Sequence, residues 1–167
     1  MMLTPDQIAS IQTLEDLACF FLSFRQAANG LYNAWLMAEY LRSQGKFNNY
    51  GFCYMGQSIR FSGCQLIFFE QSVRCATIQE LVNGSDTLEG VAKLLFKLRI
   101  PLTKLYATYA YALDARSRGV KYVYVFTNPF EGISGSIGQI TGSLTMTYDC
   151  IIDLFCSCSQ LQTCFNC

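Results

Sequence analysis

Lys121-Tyr-Val-Tyr-Val-Phe-Thr127 is the stretch on which the fold class turns. Its β-branched and aromatic residues alternate, which is strand chemistry. A strand needs a neighbour to satisfy its backbone N–H and C=O groups. No other stretch of the chain reads as one, so the segment is expected as an extended connector or a helix end. The rest of the chain then decides the class, and its apolar pattern is helical.

On the C-terminal side, Asn128-Pro129 marks a boundary. Beyond it Ile133, Ile137, Ile140, Leu144, Tyr148, Ile151 and Phe155 make one stripe of a fourth helix. On the N-terminal side Ser85 and Asp86 are cap residues for a third helix. Its stripe is Leu88, Val91, Leu95, Leu98, Leu102, Leu105, Tyr109 and Ala112. Pro101 lies inside that run and predicts a kink. A second run carries Phe52, Met55, Ile59, Leu66, Phe69, Val73 and Ala76, and Asn83-Gly84 stops it. The first helix has two starts, a capping box at Thr4-Pro5-Asp6-Gln7 and a cap at Thr13-Leu14-Glu15-Asp16. Its stripe runs from Leu17 to Leu41, and Ser43-Gln44-Gly45 ends it. The expectation is all-α: an antiparallel bundle of about four long helices, the third kinked near Pro101. It forms a single helical domain over residues 1–167, with a cysteine-rich C-terminal tail at 156–167.

Apolar residues make up 51% of the chain and charged residues 14%, against about 25% charged in ordinary domains. So little charge leaves apolar surface to meet a partner chain or lipid; the alternative is a surface rich in tyrosine and asparagine. Net charge is zero, so nucleic acid is not an expected partner. Lys93, Lys97, Arg99, Lys104, Arg116, Arg118 and Lys121 make the middle basic. From Tyr122 onward Glu131, Asp149 and Asp153 have no basic counterpart. The polar N-terminus lacks the look of a secretory or transit signal. That predicts an intracellular, reducing compartment, with free thiols as the default state of the cysteines.

No histidine occurs, which removes the commonest general base and metal ligand. No phosphate loop or nucleophile–base arrangement appears either. The chain is therefore expected to be no enzyme and to need no cofactor. Cys156, Cys158, Cys164 and Cys167 could together hold a structural zinc. Only the last pair has the usual C-x-x-C spacing, so a metal is not favoured. Acylation of the tail is a second reading, and thiols packed at a helix end are the simplest.

Two interaction surfaces follow from the helical reading. Gly135, Gly138 and Gly142 form a small-residue ridge suited to close helix contact, and Phe20, Phe24 and Trp35 an aromatic stripe. Lys93, Lys97 and Lys104 would share a basic helix face fit for an anionic surface. The uncharged run Gly132–Tyr148 approaches the length of a bilayer span. Its serines, threonines and Gln139 suit a helix–helix contact better.

Gly132-Ile-Ser-Gly-Ser-Ile-Gly-Gln-Ile-Thr-Gly142 loosely resembles the glycine- and serine-containing C-terminal helix of peroxisomal membrane-elongation proteins of the peroxin-11 type. Gly56-Gln-Ser-Ile-Arg-Phe61 loosely resembles that family's early Q-Y-x-x-R-F stretch. The family's G-R-D-K motif is missing. The resemblance implies a membrane setting rather than membership.

Three functions follow as expectations. The first is a non-catalytic helical assembly subunit of a larger complex, with an organellar membrane as one setting. Its partners are other protein subunits or a second copy. The second is a peripheral membrane-binding or membrane-shaping protein that meets anionic lipid through Lys93, Lys97 and Lys104. The third is a metal or redox module in the cysteine tail.

Overall fold

A computed structural model describes residues 5–54 and 56–158. Their chain order is α1 (Pro5–Ala9), α2 (Leu14–Ser43), β1 (Asn49–Tyr54), β2 (Gln57–Ser62), α3 (Gly63–Cys75) and α4 (Ile78–Asn83). Then come α5 (Leu88–Lys97), α6 (Arg99–Ser117), β3 (Val123–Thr127), a 3-10 turn (Ile137–Gln139), β4 (Ser143–Thr147) and α7 (Tyr148–Ser157). The expected all-α bundle of four long helices is therefore overturned. Among the described residues the fold is mixed, with two antiparallel two-stranded sheets beside the helices, 62% helical and 14% strand. The chain makes two units, residues 26–100 in one and residues 5–25 with 101–158 in the other.

In the first unit the expected second helix is a hairpin followed by α3 and α4. β1 and β2 pair antiparallel from Asn49↔Ser62 to Tyr54↔Gln57. Gly56 between them has φ of +77°, a left-handed conformation that glycine adopts without a Cβ penalty. Phe52 and Tyr54 are buried two residues apart, as a strand requires, with Phe61 across the ladder. The apolar spacing at Phe52 and Ile59 fits a helix as well, which is why periodicity alone misreads so short a run. α3 begins where the hairpin ends. Ser62 accepts from the Gln65 backbone N–H at 3.3 Å, and Gln65 Oε1 accepts from the Ser62 N–H at 2.9 Å. This capping box satisfies two otherwise orphaned donors. Thr77 and Thr87 cap α4 and α5 through their hydroxyls alone, which accept from the Glu80 and Gly90 N–H groups at 3.2 and 3.0 Å. The core joins Phe61, Leu66, Phe69, Val73, Val91, Leu95 and Phe96. The Phe69 and Phe96 rings meet edge to face at 5.8 Å.

The expected third helix is two. Leu98 caps α5, and α6 starts at Arg99, so Pro101 falls in a first turn whose N–H groups lack helical partners anyway. Leu102, Leu105, Ala112 and Ala115 form the buried side of α6.

The expected fourth helix contains only α7. Gly132, Gly135 and Gly142 have φ of +86°, +116° and +96°, values that no α-helix holds. The intervening chain is a loop, and Ser143-Leu-Thr-Met-Thr147 supplies the partner for β3, in register from Val123↔Thr147 to Thr127↔Ser143. Thr13 caps α2, its hydroxyl accepting from the Asp16 N–H at 3.1 Å. Phe21 on α2 packs edge to face on Phe126 of β3 at 5.9 Å, and lies 5.6 Å from Phe130. Leu17, Leu102, Leu105, Met146, Ile151 and Ile152 complete this core.

Asn128 organises the loop between the strands. It is 5% exposed. Its Nδ2 donates to the Ile137 and Ile140 carbonyls at 2.8 and 2.9 Å, and its Oδ1 accepts from the Phe130 N–H at 2.8 Å. A buried amide that satisfies three backbone groups leaves all three orphaned when removed. Asn128→Ala is expected to destabilise the protein by about 2–4 kcal/mol in denaturant unfolding. A loss below about 0.5 kcal/mol, the level of ordinary surface substitutions, would show that the loop does not need it.

Candidate functional site

The β3–β4 hairpin has two unlike faces. On one, Phe126 and Met146 are buried and Tyr124 and Leu144 half-buried. On the other, Val123, Val125 and Thr127 lie opposite Thr147, Thr145 and Ser143, and all six are exposed. Val123 is 63% and Val125 53% exposed. β-branched residues favour a strand because they pack against neighbours on its surface, and here the cross-strand neighbours are one another. Neither strand carries a charge or a proline. Each pairs with no third strand among the described residues. Strand edges are usually protected by charge, proline or a bulge, and these two strands have neither charge nor proline. β1–β2, by contrast, carries Arg60 and joins the core through Phe52, Tyr54 and Phe61.

At the open end of the hairpin the Tyr148 N–H donates to the Tyr122 carbonyl at 3.3 Å. Three tyrosines gather there. Tyr122 and Tyr148 lie 5.5 Å apart, and Tyr111 of α6 is 6.3 and 6.0 Å from them. Tyr111 and Tyr122 are about half exposed, at 51% and 48%. A shallow cleft of about 140 Å³ opens beside them, lined by Arg116, Lys121, Thr147, Tyr148 and Asp149 among others. Arg118 donates to Asp114 at 2.7 Å, and this carboxylate raises the Arg118 pKa. Aromatic rings with arginine around uncharged aliphatic surface are the composition of a protein-contact patch.

The third feature of this unit is a disulfide. Cys19 of α2 is bonded to Cys158, which caps α7, with Cα atoms 5.4 Å apart across 139 positions of sequence. Cys53 of β1 is disulfide-bonded too. Cys64, Cys75, Cys150 and Cys156 are free. The default of free thiols therefore does not hold for Cys19, Cys53 or Cys158. Of the proposed zinc set, Cys156 is an exposed free thiol and Cys158 is spent on Cys19, while Cys164 and Cys167 lie outside the described residues. No group of three or more cysteines and carboxylates placed to hold a metal occurs among the described residues.

The other sequence candidates are scattered. Gly138 sits in the 3-10 turn, with Gly135 and Gly142 in the loop around it, so the three form no helical ridge. A Cβ at Gly138 would strike the Ile133 carbonyl, which assigns that glycine to loop packing. Phe20 and Phe24 meet each other at 4.2 Å, and Phe24 is buried. In the other unit, Trp35 stacks on Tyr32 and meets Phe96 edge to face at 6.0 Å. This aromatic stripe is thus largely committed within the chain. The exposed apolar residues of α2 are instead Leu36, Met37 and Tyr40.

The three lysines do not share a helix. Lys93 and Lys97 belong to α5 and Lys104 to α6. Lys93 lies 3.6 Å from Glu89. Lys97 Nζ donates to the Val73 and Arg74 carbonyls at 3.4 and 3.5 Å, at the end of α3 where a cation favours the helix dipole. Lys104 is exposed. Among the described residues, no helix is long and apolar enough to cross a membrane.

One half-buried cation stands apart. The Arg25 guanidinium lies over the Tyr106 ring, its Nε has no hydrogen-bond partner among the described residues, and burial lowers its pKa. Its stacking on tyrosine is a packing role.

Burial also raises the pKa of Tyr124, on the inner face of the hairpin. Tyrosine ionises at about pH 10 in an unfolded chain, so above that pH the unfolded state sheds its proton while the folded state holds it. Stability that is complete below about pH 10 is then lost as pH rises through the folded pKa. Tyr124→Phe is expected to flatten the alkaline limb of a stability-against-pH curve; an unchanged limb would place that dependence elsewhere.

Compared with known families, curated proteins and solved structures, the chain matches none.

Proposed function

We propose that this protein is a non-catalytic assembly subunit that pairs with a second copy of itself through the exposed face and edges of the β3–β4 hairpin. The observation that carries the reading is the pair of charge-free, proline-free strands with Val123 and Val125 turned to solvent. Such edges recruit another chain by backbone pairing. A second copy is the occupant that the surrounding charges favour. Arg116, Lys121 and Asp149 line the cleft beside the hairpin, while Arg118 and Asp114 are paired with each other. A surface bearing both signs is self-complementary under a two-fold axis, where each residue meets the copy of its complement.

Anionic lipid as the occupant of a lysine face has less support, because Lys93 and Lys97 already have partners within their own unit. An intracellular reducing setting, expected from the polar N-terminus, has the Cys19–Cys158 disulfide against it.

Sedimentation of the purified full chain over a wide concentration range tests the proposal. The wild-type chain is expected to dimerise. The double substitution Val125→Lys with Thr145→Lys is expected to weaken the dimer at least about tenfold by burying unpaired like charges. Val125 and Thr145 are cross-strand partners, so the two lysines also cost the hairpin about 0.2–1 kcal/mol, and an unchanged far-ultraviolet circular dichroism spectrum shows that the variant is still folded. A wild-type monomer at high concentration, or a dimer indifferent to both lysines, overturns the reading.

A further inference from the structure

We propose that the Cys19–Cys158 disulfide is a redox clasp on α7 and, through it, on the hairpin: oxidised, it holds β4 against β3, and reduced, it lets residues 143–157 loosen. The loosening stands on local geometry. The consequence for association rests on the reading of the hairpin face given above.

Four observations place the clasp. First, Cys158 follows α7 directly and Cys19 sits near the start of α2, so the bond ties the C-terminal end of α7 to a helix in the same unit. Second, α7 has ten residues, too few to remain helical alone in water, where helices shorter than about 12 residues are marginal. Its other anchors include Tyr148 against Tyr122 at 5.5 Å, Ile151 and Ile152 in the core, and Phe155, stacked on Tyr109 at 3.7 Å. Third, Thr147 ends β4 and also caps α7, its hydroxyl accepting from the Cys150 N–H at 3.3 Å. No slack separates strand from helix, so displacement of α7 pulls on β4. Fourth, a hairpin of two strands is marginal unless it packs on something. This one packs through Phe126 on Phe21, two residues beyond Cys19. The bond therefore fastens both ends of one packing unit.

Access is uneven, which fixes the direction of attack. Cys158 is 3% exposed and Cys19 is half-buried. A dithiol reductant attacks the Cys19 sulfur as its thiolate, and Cys158 leaves as a thiolate that takes up a proton. The reagent's second thiolate then displaces the Cys19 thiolate, which is protonated in turn, and the reagent closes into its own disulfide. Two electrons pass to the protein sulfurs, and no other co-reactant is needed. An oxidising compartment keeps such a clasp closed and a thiol-rich one opens it.

The test follows hydrogen exchange by mass spectrometry in three samples of the full chain: purified without reductant, treated with dithiothreitol, and carrying Cys19→Ala with Cys158→Ala. The double variant isolates this bond from the disulfide at Cys53, which dithiothreitol also breaks. Alkylation before digestion reports which thiols are free. The expected result is a Cys19–Cys158 linked peptide in the first sample. In the other two, exchange over residues 143–157 rises by about tenfold or more, and in the double variant, where the disulfide at Cys53 is intact, residues 63–75 of α3 keep their protection. Free, alkylated Cys19 and Cys158 in the untreated protein overturn the proposal. So does unchanged protection over 143–157 in the variant. Loss of protection throughout both units in the double variant overturns it as well, because the bond is then a general staple. Sedimentation of the same samples separates the two readings. A monomer whose 143–157 segment loosens on reduction keeps the clasp and removes the dimer. A dimer whose segment stays protected on reduction removes the clasp and keeps the dimer.

Discussion

The backbone of Val123–Thr127 must find a partner for its N–H and C=O groups, and the second unit is arranged around meeting that need. β4 supplies the partner after a loop that reverses the chain, and Asn128 holds the loop by bonding Ile137, Ile140 and Phe130. Once the ladder closes, its inner face sets Phe126 against Phe21. Its last residue caps α7, and α7 delivers Cys158 to Cys19. Each step depends on the pairing, because the same residues left as a helix or a connector would put Phe126 and Met146 on unrelated faces.

The same pairing creates the surface on which the functional reading rests. Side chains alternate across a strand, so burying Tyr124, Phe126, Leu144 and Met146 obliges Val123, Val125, Thr145 and Thr147 to face outward. Their aliphatic character is more than solvent contact calls for. The tyrosines at the open end and the mixed charges beside them extend this surface beyond the strands. A disulfide across the same packing unit makes its rigidity sensitive to thiols in its surroundings.

Much of the helical content was legible in the chain. The cap at Thr13, the run to Ser43 and the end near Gly45, with φ of +72°, are local signals with local causes. The strands were hidden for an equally physical reason. Residues four apart lie on one face of a helix and also on one face of a strand. Ile140, Leu144 and Tyr148 therefore satisfy either reading. Glycine adds to the ambiguity, because it fits a close helix contact as readily as a left-handed turn, and here Gly135 and Gly142 take the turn. The candidate site was less legible still. Phe24 and Trp35 look like interface residues by composition, yet they pack inward, while Val123 and Val125 lie in a segment whose exposure depends on a partner strand twenty residues away.

From sequence alone come the low charge, the absence of histidine, the helix caps and the strand chemistry of Lys121–Thr127, since each depends on residue type or on neighbours a few positions off. Tertiary structure alone decided that this strand is paired, that Lys97 serves the end of α3 rather than an outside surface, and that Cys19 meets Cys158. The reason is common to all three. Each joins groups far apart along the chain, and their encounter depends on which buried surfaces pack together, a quantity no local pattern encodes.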